Sequence, residues 1–279
     1  MLFGDRPDGT KIPDLPPLRR IMPHVLATRA GASIYHEMVV DVSRTLPWLR
    51  ETSARLGREL TLFQLVLYGT ARTLHERPQL HRFVAGGRLW QRRHCDLSFA
   101  VKKRLEDSAG MTSVKVRFEA SDTLVSAADR IDKIISVGRG EKKTASEKEM
   151  SLVTRLPFFM ISWLLSLQRF LDYWNLLPAS MIEPDPLYAS VFLANLGSVG
   201  LDAPWHHLYE YGTIPIFIVV GKIHKHAFIT EDGRVEVRDA VVLRTTLDER
   251  ITDGLYCAKS LEILRGILED PATHCEVGA

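Results

Sequence analysis

Asp248-Glu249-Arg250-Ile251-Thr252-Asp253-Gly254 is the stretch on which the fold of this chain turns. An alternating run, Arg234 to Leu247, leads into it. An amphipathic run, roughly 254–269, leaves it with Ala258, Leu261, Leu264 and Leu268 on one face. Period two before and period 3.6 after predict a strand entering this turn and a helix leaving it.

Working outward, Asp232-Gly233 predicts a tight hairpin turn into that strand. Ser190 to Leu196, Ile214 to Val220 and Ala227 to Thr230 read as apolar strands. Further upstream, residues 34–43 alternate as a strand. Helices are predicted over roughly 45–57 and 61–76, the second with Thr61 as N-cap, and Arg77-Pro78 stops it. Phe83-Val84 and Arg88-Leu89-Trp90 flank Gly86-Gly87 as a short hairpin. Asp96 to Lys102 and Ser113 to Phe118 read as strands, and roughly 122–136 as a helix. Residues 1–16 read as an extended arm and 17–279 as one α/β domain. Arg139-Gly140-Glu141-Lys142-Lys143 reads as a solvated loop, with phosphate contact as the sharper alternative.

Residues at about 150–182 form an apolar insertion. Leu156 to Leu167 is almost wholly apolar, and Phe170, Leu171, Tyr173, Trp174, Leu176 and Leu177 continue it. A helix apolar nearly all round is expected to be buried, by its own domain or by a neighbour. Two other uses stay open: lining an acyl or other apolar site, and contact with a membrane surface beside Arg155 and Arg169.

The 279 residues are enough for a sizeable core. Thirty-six basic against 34 acidic side chains give no reason to expect nucleic acid as a partner. Three scattered cysteines, Cys95, Cys257 and Cys275, fit a reducing compartment, and Cys257 reads as core. The charged start Met1 to Asp8 lacks the apolar run of a signal peptide, and no stretch reaches the ~20 apolar residues of a spanning helix. A cytoplasmic location is the expectation. His224 and His226 share a strand face without an evident third ligand, so no metal is expected.

Taken in order, the motifs resemble the catalytic domain of the 2-oxo acid dehydrogenase acyltransferases, the dihydrolipoamide acyltransferase (E2) family, related in fold to chloramphenicol acetyltransferase. That family carries D-H-R-x-x-D-G where this chain has Asp248 to Gly254. Ala194-Asn195-Leu196-Gly197-Ser198-Val199-Gly200 resembles its S-N-L-G-x-x-G turn. Ile216 to Ile223, Pro17-Leu18-Arg19-Arg20-Ile21 and Leu60 to Leu80 resemble further segments, so the likeness spans about residues 15–272.

The resemblance implies a chloramphenicol acetyltransferase-like two-layer sandwich, a mixed sheet with packed helices. It also implies a homotrimer or larger assembly with sites at subunit boundaries. The implied small-molecule partner is a thioester, coenzyme A or acyl-coenzyme A as cosubstrate, with no lipoyl group on this chain. By the same likeness Asp253 is structural, pairing with Arg20 or Arg29. Ala194 or Asn195 lies where a hydroxyl steadies an oxyanion, a role the Asn195 amide could take, and Glu249 lies where histidine is the base.

An ordinary glutamate is a weaker base than histidine by roughly 3 kcal/mol, and burial can narrow that gap. Glu249 therefore reads either as a replacement base or as the partner of Arg244 or Arg250 in a silent site. His206 or His207, in the loop after the Asn195 turn, is the alternative base. An acyltransferase with an altered site, a non-catalytic scaffold or thioester binder, and a membrane-surface acyltransferase with a lipid acceptor are the readings carried forward.

Overall fold

The computed structural model describes residues 4–102, 111–140 and 153–278. Among these the elements are β1 (Gly9–Lys11), α1 (Pro17–Val25), β2 (Ser33–Asp41), α2 (Thr45–Leu56), α3 (Leu62–Glu76), β3 (Arg82–Ala85), β4 (Arg88–Arg92), β5 (Cys95–Lys102) and β6 (Met111–Phe118). They continue with α4 (Leu124–Arg139), α5 (Phe158–Tyr173), α6 (Ala179–Ile182), β7 (Val191–Asn195), β8 (Ile216–Ile229), β9 (Val235–Asp248), α7 (Gly254–Glu269) and α8 (Pro271–His274).

A six-stranded mixed sheet, in the order β2-β9-β8-β7-β5-β6, forms one layer. β7 runs parallel to both neighbours, β5 and β8, and the other pairs are antiparallel. This explains the continuous apolar runs of β7 and the first half of β8. Inner strands covered on both faces need no polar side. β9 alternates instead, burying Val241 and Leu243 while Val242 and Arg244 stay partly exposed.

Helices α3, α4 and α7 form the second layer. Their buried Leu65, Leu67, Leu74, Ile131, Leu264 and Leu268 pack with Leu97, Leu193, Ile218 and Leu243 of the sheet. Thr61 starts α3 through a reciprocal capping box with Gln64, and Thr123 starts α4 in the same way with Ser126. Each side chain satisfies a helix-end N–H that would otherwise lack a partner.

The structure adds detail to these readings. Within the arm, β1 joins β4 and β3 in a small antiparallel sheet. Arg6, 2% exposed, is clasped by Asp8 and Asp172. The strands expected over 214–220 and 227–230 are one strand, β8, whose register shifts between Val220 and Ile223. The bulge spaces two apolar stretches that otherwise read as separate. α5 is not covered by its own domain, for none of its residues is buried. Of the run Arg139 to Lys143, Arg139 ends α4, and Glu141 to Lys143 lie outside the described residues.

Candidate active site

The Asp248–Gly254 turn is built by two side chains that point inward. Arg250 donates from Nε and Nη2 to the two carboxylate oxygens of Asp248 at 2.8 and 2.6 Å, and from Nη1 to the carbonyl of Leu26. Both partners are almost fully buried. Drawing 248 and 250 into the core leaves residue 249 at the rim. Its main chain is pinned on both sides: the Glu249 N–H donates to Ala32 O at 2.9 Å, and Arg19 donates to the Glu249 carbonyl at 2.9 Å.

Among the described residues, the Glu249 carboxylate has no ion pair or hydrogen bond. It pairs with neither arginine considered for it. Arg250 belongs to Asp248, and Arg244 belongs to Glu37 at 2.7 Å while lying over the Trp205 ring.

Asp253 N-caps α7, accepting from Tyr256 N–H at 2.8 Å. Its arginine is Arg19, at 4.0 Å, rather than Arg20 or Arg29. Arg29 is buried and committed elsewhere, to the carbonyls of Glu210 and Val84. The one-residue difference from Arg20 follows from α1, which turns Arg19 toward the strand-to-helix corner. No periodicity in the sequence distinguishes the two.

His206 and His207 lie on the face of the sheet opposite the helices. The His206 ring stacks on Phe217 at 3.8 Å and on His207 at 5.0 Å. Its carbonyl accepts from the Thr246 hydroxyl, three residues before Glu249. Burial holds the His206 imidazole below its ordinary pKa, against the opposing pull of the His207 carbonyl, which contacts its Nδ1 at 2.6 Å. The lowering favours the neutral imidazole, the form a proton acceptor needs. The loop is tied to the Glu249 corner a second time, because Glu210 accepts from the N–H groups of Arg29 and Ala30.

Asn195 stands apart. It ends β7 opposite Val220, and Val220 lies opposite Leu243. Glu249 is six residues further along the chain, just past the end of β9, so at about 3.4 Å per residue the two sit roughly 20 Å apart along the strand direction. Within one chain the His206 carbonyl is held at Thr246, three residues from Glu249, and Asn195 lies farther off. The Asn195 turn is shaped by close main-chain contact. A Cβ at Gly197 would come within 2.4 Å of the Gly221 carbonyl in the β8 bulge, which is why glycine stands there. Asn195 Oδ1 accepts from Ser198 N–H at 3.2 Å, and its amide NH2 has no partner among the described residues.

A cavity of about 30 Å³ sits between α3, α7 and the sheet, with Thr70, Ile218, Thr245, Cys257 and Leu264 in its wall. Another, of about 20 Å³, lies beside Arg92 and Lys115. Each has room for about one water. His224 and His226 face each other edge-on, and no group of three or more metal-ligating side chains occurs among the described residues. No helix among them is long and apolar enough to cross a membrane.

This architecture is that of the acyltransferase catalytic domains seen in 2-oxo acid dehydrogenase complexes and in chloramphenicol acetyltransferase. The cubic core of the pyruvate dehydrogenase multienzyme complex superposes with a TM-score of 0.63 at 16% identity, covering 95% of this chain and 94% of that one. Chloramphenicol acetyltransferase superposes with a TM-score of 0.54 at 12% identity, covering 90% and 94%.

In sequence, the chain is similar to the lipoamide acyltransferase component of the branched-chain alpha-keto acid dehydrogenase complex of Bacillus subtilis. The two are 25% identical over 213 residues, 76% of this chain. The chain spans 40% of that relative's length. No family model matches it.

Proposed function

We propose that the chain transfers an acyl group from coenzyme A or another thioester to an acceptor, at a site completed between copies of the chain. The carrying observation is the Glu249 carboxylate. It is unpaired at the rim while its main chain is fixed by Ala32 and Arg19. A positioned carboxylate with no cation to quench it is free to take a proton from an attacking thiol or hydroxyl. His206, whose carbonyl is held by Thr246, is the alternative acceptor. Asn195 would donate its amide N–H groups to the developing oxyanion. Asp253 holds the start of α7 and Arg19, and so positions the corner.

The separation of Asn195 from Glu249 supports the assembled form. Roughly 20 Å of rigid sheet keeps the two apart in one chain. No cavity described above admits a pantetheine arm. A channel between the Asn195 end of one copy and the Glu249 end of another would answer both facts, and a homotrimer is the closed ring that repeats such a head-to-tail contact. The likeness to a cubic core supports assembly of this kind.

A second reading keeps the assembly without turnover, as a scaffold or thioester binder. Glutamate at position 249 favours it, because an ordinary carboxylate is a weaker base than an imidazole. Titration calorimetry with coenzyme A and acetyl-coenzyme A, run beside a thiol-release assay, separates the two. Binding with release supports transfer, and binding without release supports the second reading. No binding at millimolar ligand rejects both.

A further inference from the structure

The surface of α5 is not explained by any of this. Phe159, Trp163, Leu167, Phe170 and Trp174 follow one another at spacings of four, four, three and four. Such spacing aligns them along one side of a helix about 24 Å long. Phe159 is 63% exposed and Trp163 65%. Phe170 and Trp174 are also exposed, with their rings in contact.

Only the opposite edge of the helix touches the domain. Leu171 packs beside Leu177, Ile182 and Tyr188, and Gln168 donates to Tyr211. Ser162, Ser166 and Arg169 lie on the third side, together with exposed Phe158 and Tyr173.

The charges decide what this stripe suits. Over residues 153–178 the basic side chains are Arg155 and Arg169, and the acidic one is Asp172. Asp172 is neutralised by Arg6 at 2.7 Å. Arg155 and Arg169 have no ion pair among the described residues. Within residues 153–178 the uncompensated charge is therefore positive.

A second copy of α5 would bring the same cations to the contact. An acidic bilayer supplies the opposite charge. It also takes aromatic side chains at the headgroup level while a cationic flank stays with the phosphates.

We propose that α5 is an interfacial anchor: it lies flat on a membrane rich in acidic lipid, with the Phe159–Trp174 stripe inserted and Arg155 and Arg169 on the headgroups. The domain then rides on the bilayer through its α5 side. The inference is independent of the acyl-transfer reading and holds for a catalytic or a silent protein.

Vesicle flotation of the full chain tests it, using phosphatidylcholine alone and phosphatidylcholine with about 30% phosphatidylserine. The chain is expected to float with the acidic vesicles, less so at high salt. Trp163→Ser weakens partitioning roughly tenfold, as removing one inserted aromatic should. Arg155→Glu with Arg169→Glu weakens it by about fivefold or more per residue on acidic vesicles. These side chains are exposed, so circular dichroism should show both variants folded.

Absence of flotation overturns the proposal. Flotation that neither variant alters also overturns it. So does a lipid-free sedimentation experiment in which Trp163→Ser alone dissociates a larger species, because a second copy of the chain would then be what covers the stripe.

Discussion

Asp248 and Arg250, two residues apart, hold each other inside the domain and thereby turn Glu249 outward. The pair is the hinge pin of the candidate site. Removing one partner leaves an uncompensated buried charge, which costs about 3–5 kcal/mol. Arg250→Met is therefore expected to lower stability by that amount in urea unfolding. Asp248→Asn combined with Arg250→Met should cost less than the two single changes added together.

Glu249 itself contributes little to the fold, because its contacts are main-chain ones. Glu249→Gln should leave the unfolding free energy within about 0.5 kcal/mol of the parent. In the thiol-release assay it should lower turnover by at least about a hundredfold if the carboxylate is the base. Unchanged turnover moves the role to His206, and His206→Ala then becomes the informative variant.

Completion between copies has a quantitative signature. Asn195→Ala and Glu249→Gln are each expected to be inactive. Refolded together in equal amounts, they should recover about a quarter of the parent activity. In a closed ring with random mixing, about one boundary in four then joins an intact Asn195 to an intact Glu249. Recovery of nothing would place both roles in one chain or in none.

Acid should destabilise the fold through His81. Burial, with the charge of Arg92 adding to it, lowers this imidazole to about 4, and its ring nitrogen contacts the His94 carbonyl at 2.9 Å. The unfolded chain takes up the proton near pH 6.5, so this contribution is complete above that pH and is lost as pH falls toward 4. The loss amounts to about 3 kcal/mol. Urea unfolding from pH 7 to pH 4 should show it as a narrowing gap between the parent and His81→Gln, whose amide does not titrate.

Gly86 is fixed by space as well as by backbone. It has φ +59°, and a Cβ there would come within 2.2 Å of the Tyr173 carbonyl at the end of α5. Gly86→Ala should cost about 1–3 kcal/mol and loosen the seating of α5 on the β3–β4 turn. Hydrogen exchange across residues 170–176 is the measurement.

The sheet was legible because its strands obey simple rules. β9 alternates over one covered face, and β7 is apolar because both its faces are covered. Thr61 and the Asp248–Gly254 turn announced a helix start and a strand-to-helix corner in the sequence itself. What stayed hidden depends on contacts distant along the chain. The short β1 is held by Arg6 reaching Asp172, 166 residues away. The preference of Asp253 for Arg19 over Arg20 depends on how α1 is rotated. The Val220–Ile223 register shift merges two predicted strands through a bulge that composition does not mark. Apolar composition over 156–177 predicted burial, yet α5 meets its own domain along one edge only. The relation of Asn195 to Glu249 could be read only after the strand register was known.

That relation has a consequence for how such a protein is governed. Sheet is a stiff ruler, and no loop movement or side-chain rotation closes a gap of six residues. On the reading proposed above, a newly made chain is silent until it meets its copies. Dilution alone is then an off switch that needs no inhibitor, and the two half-sites can drift separately without either one's errors being felt in the folding of the other.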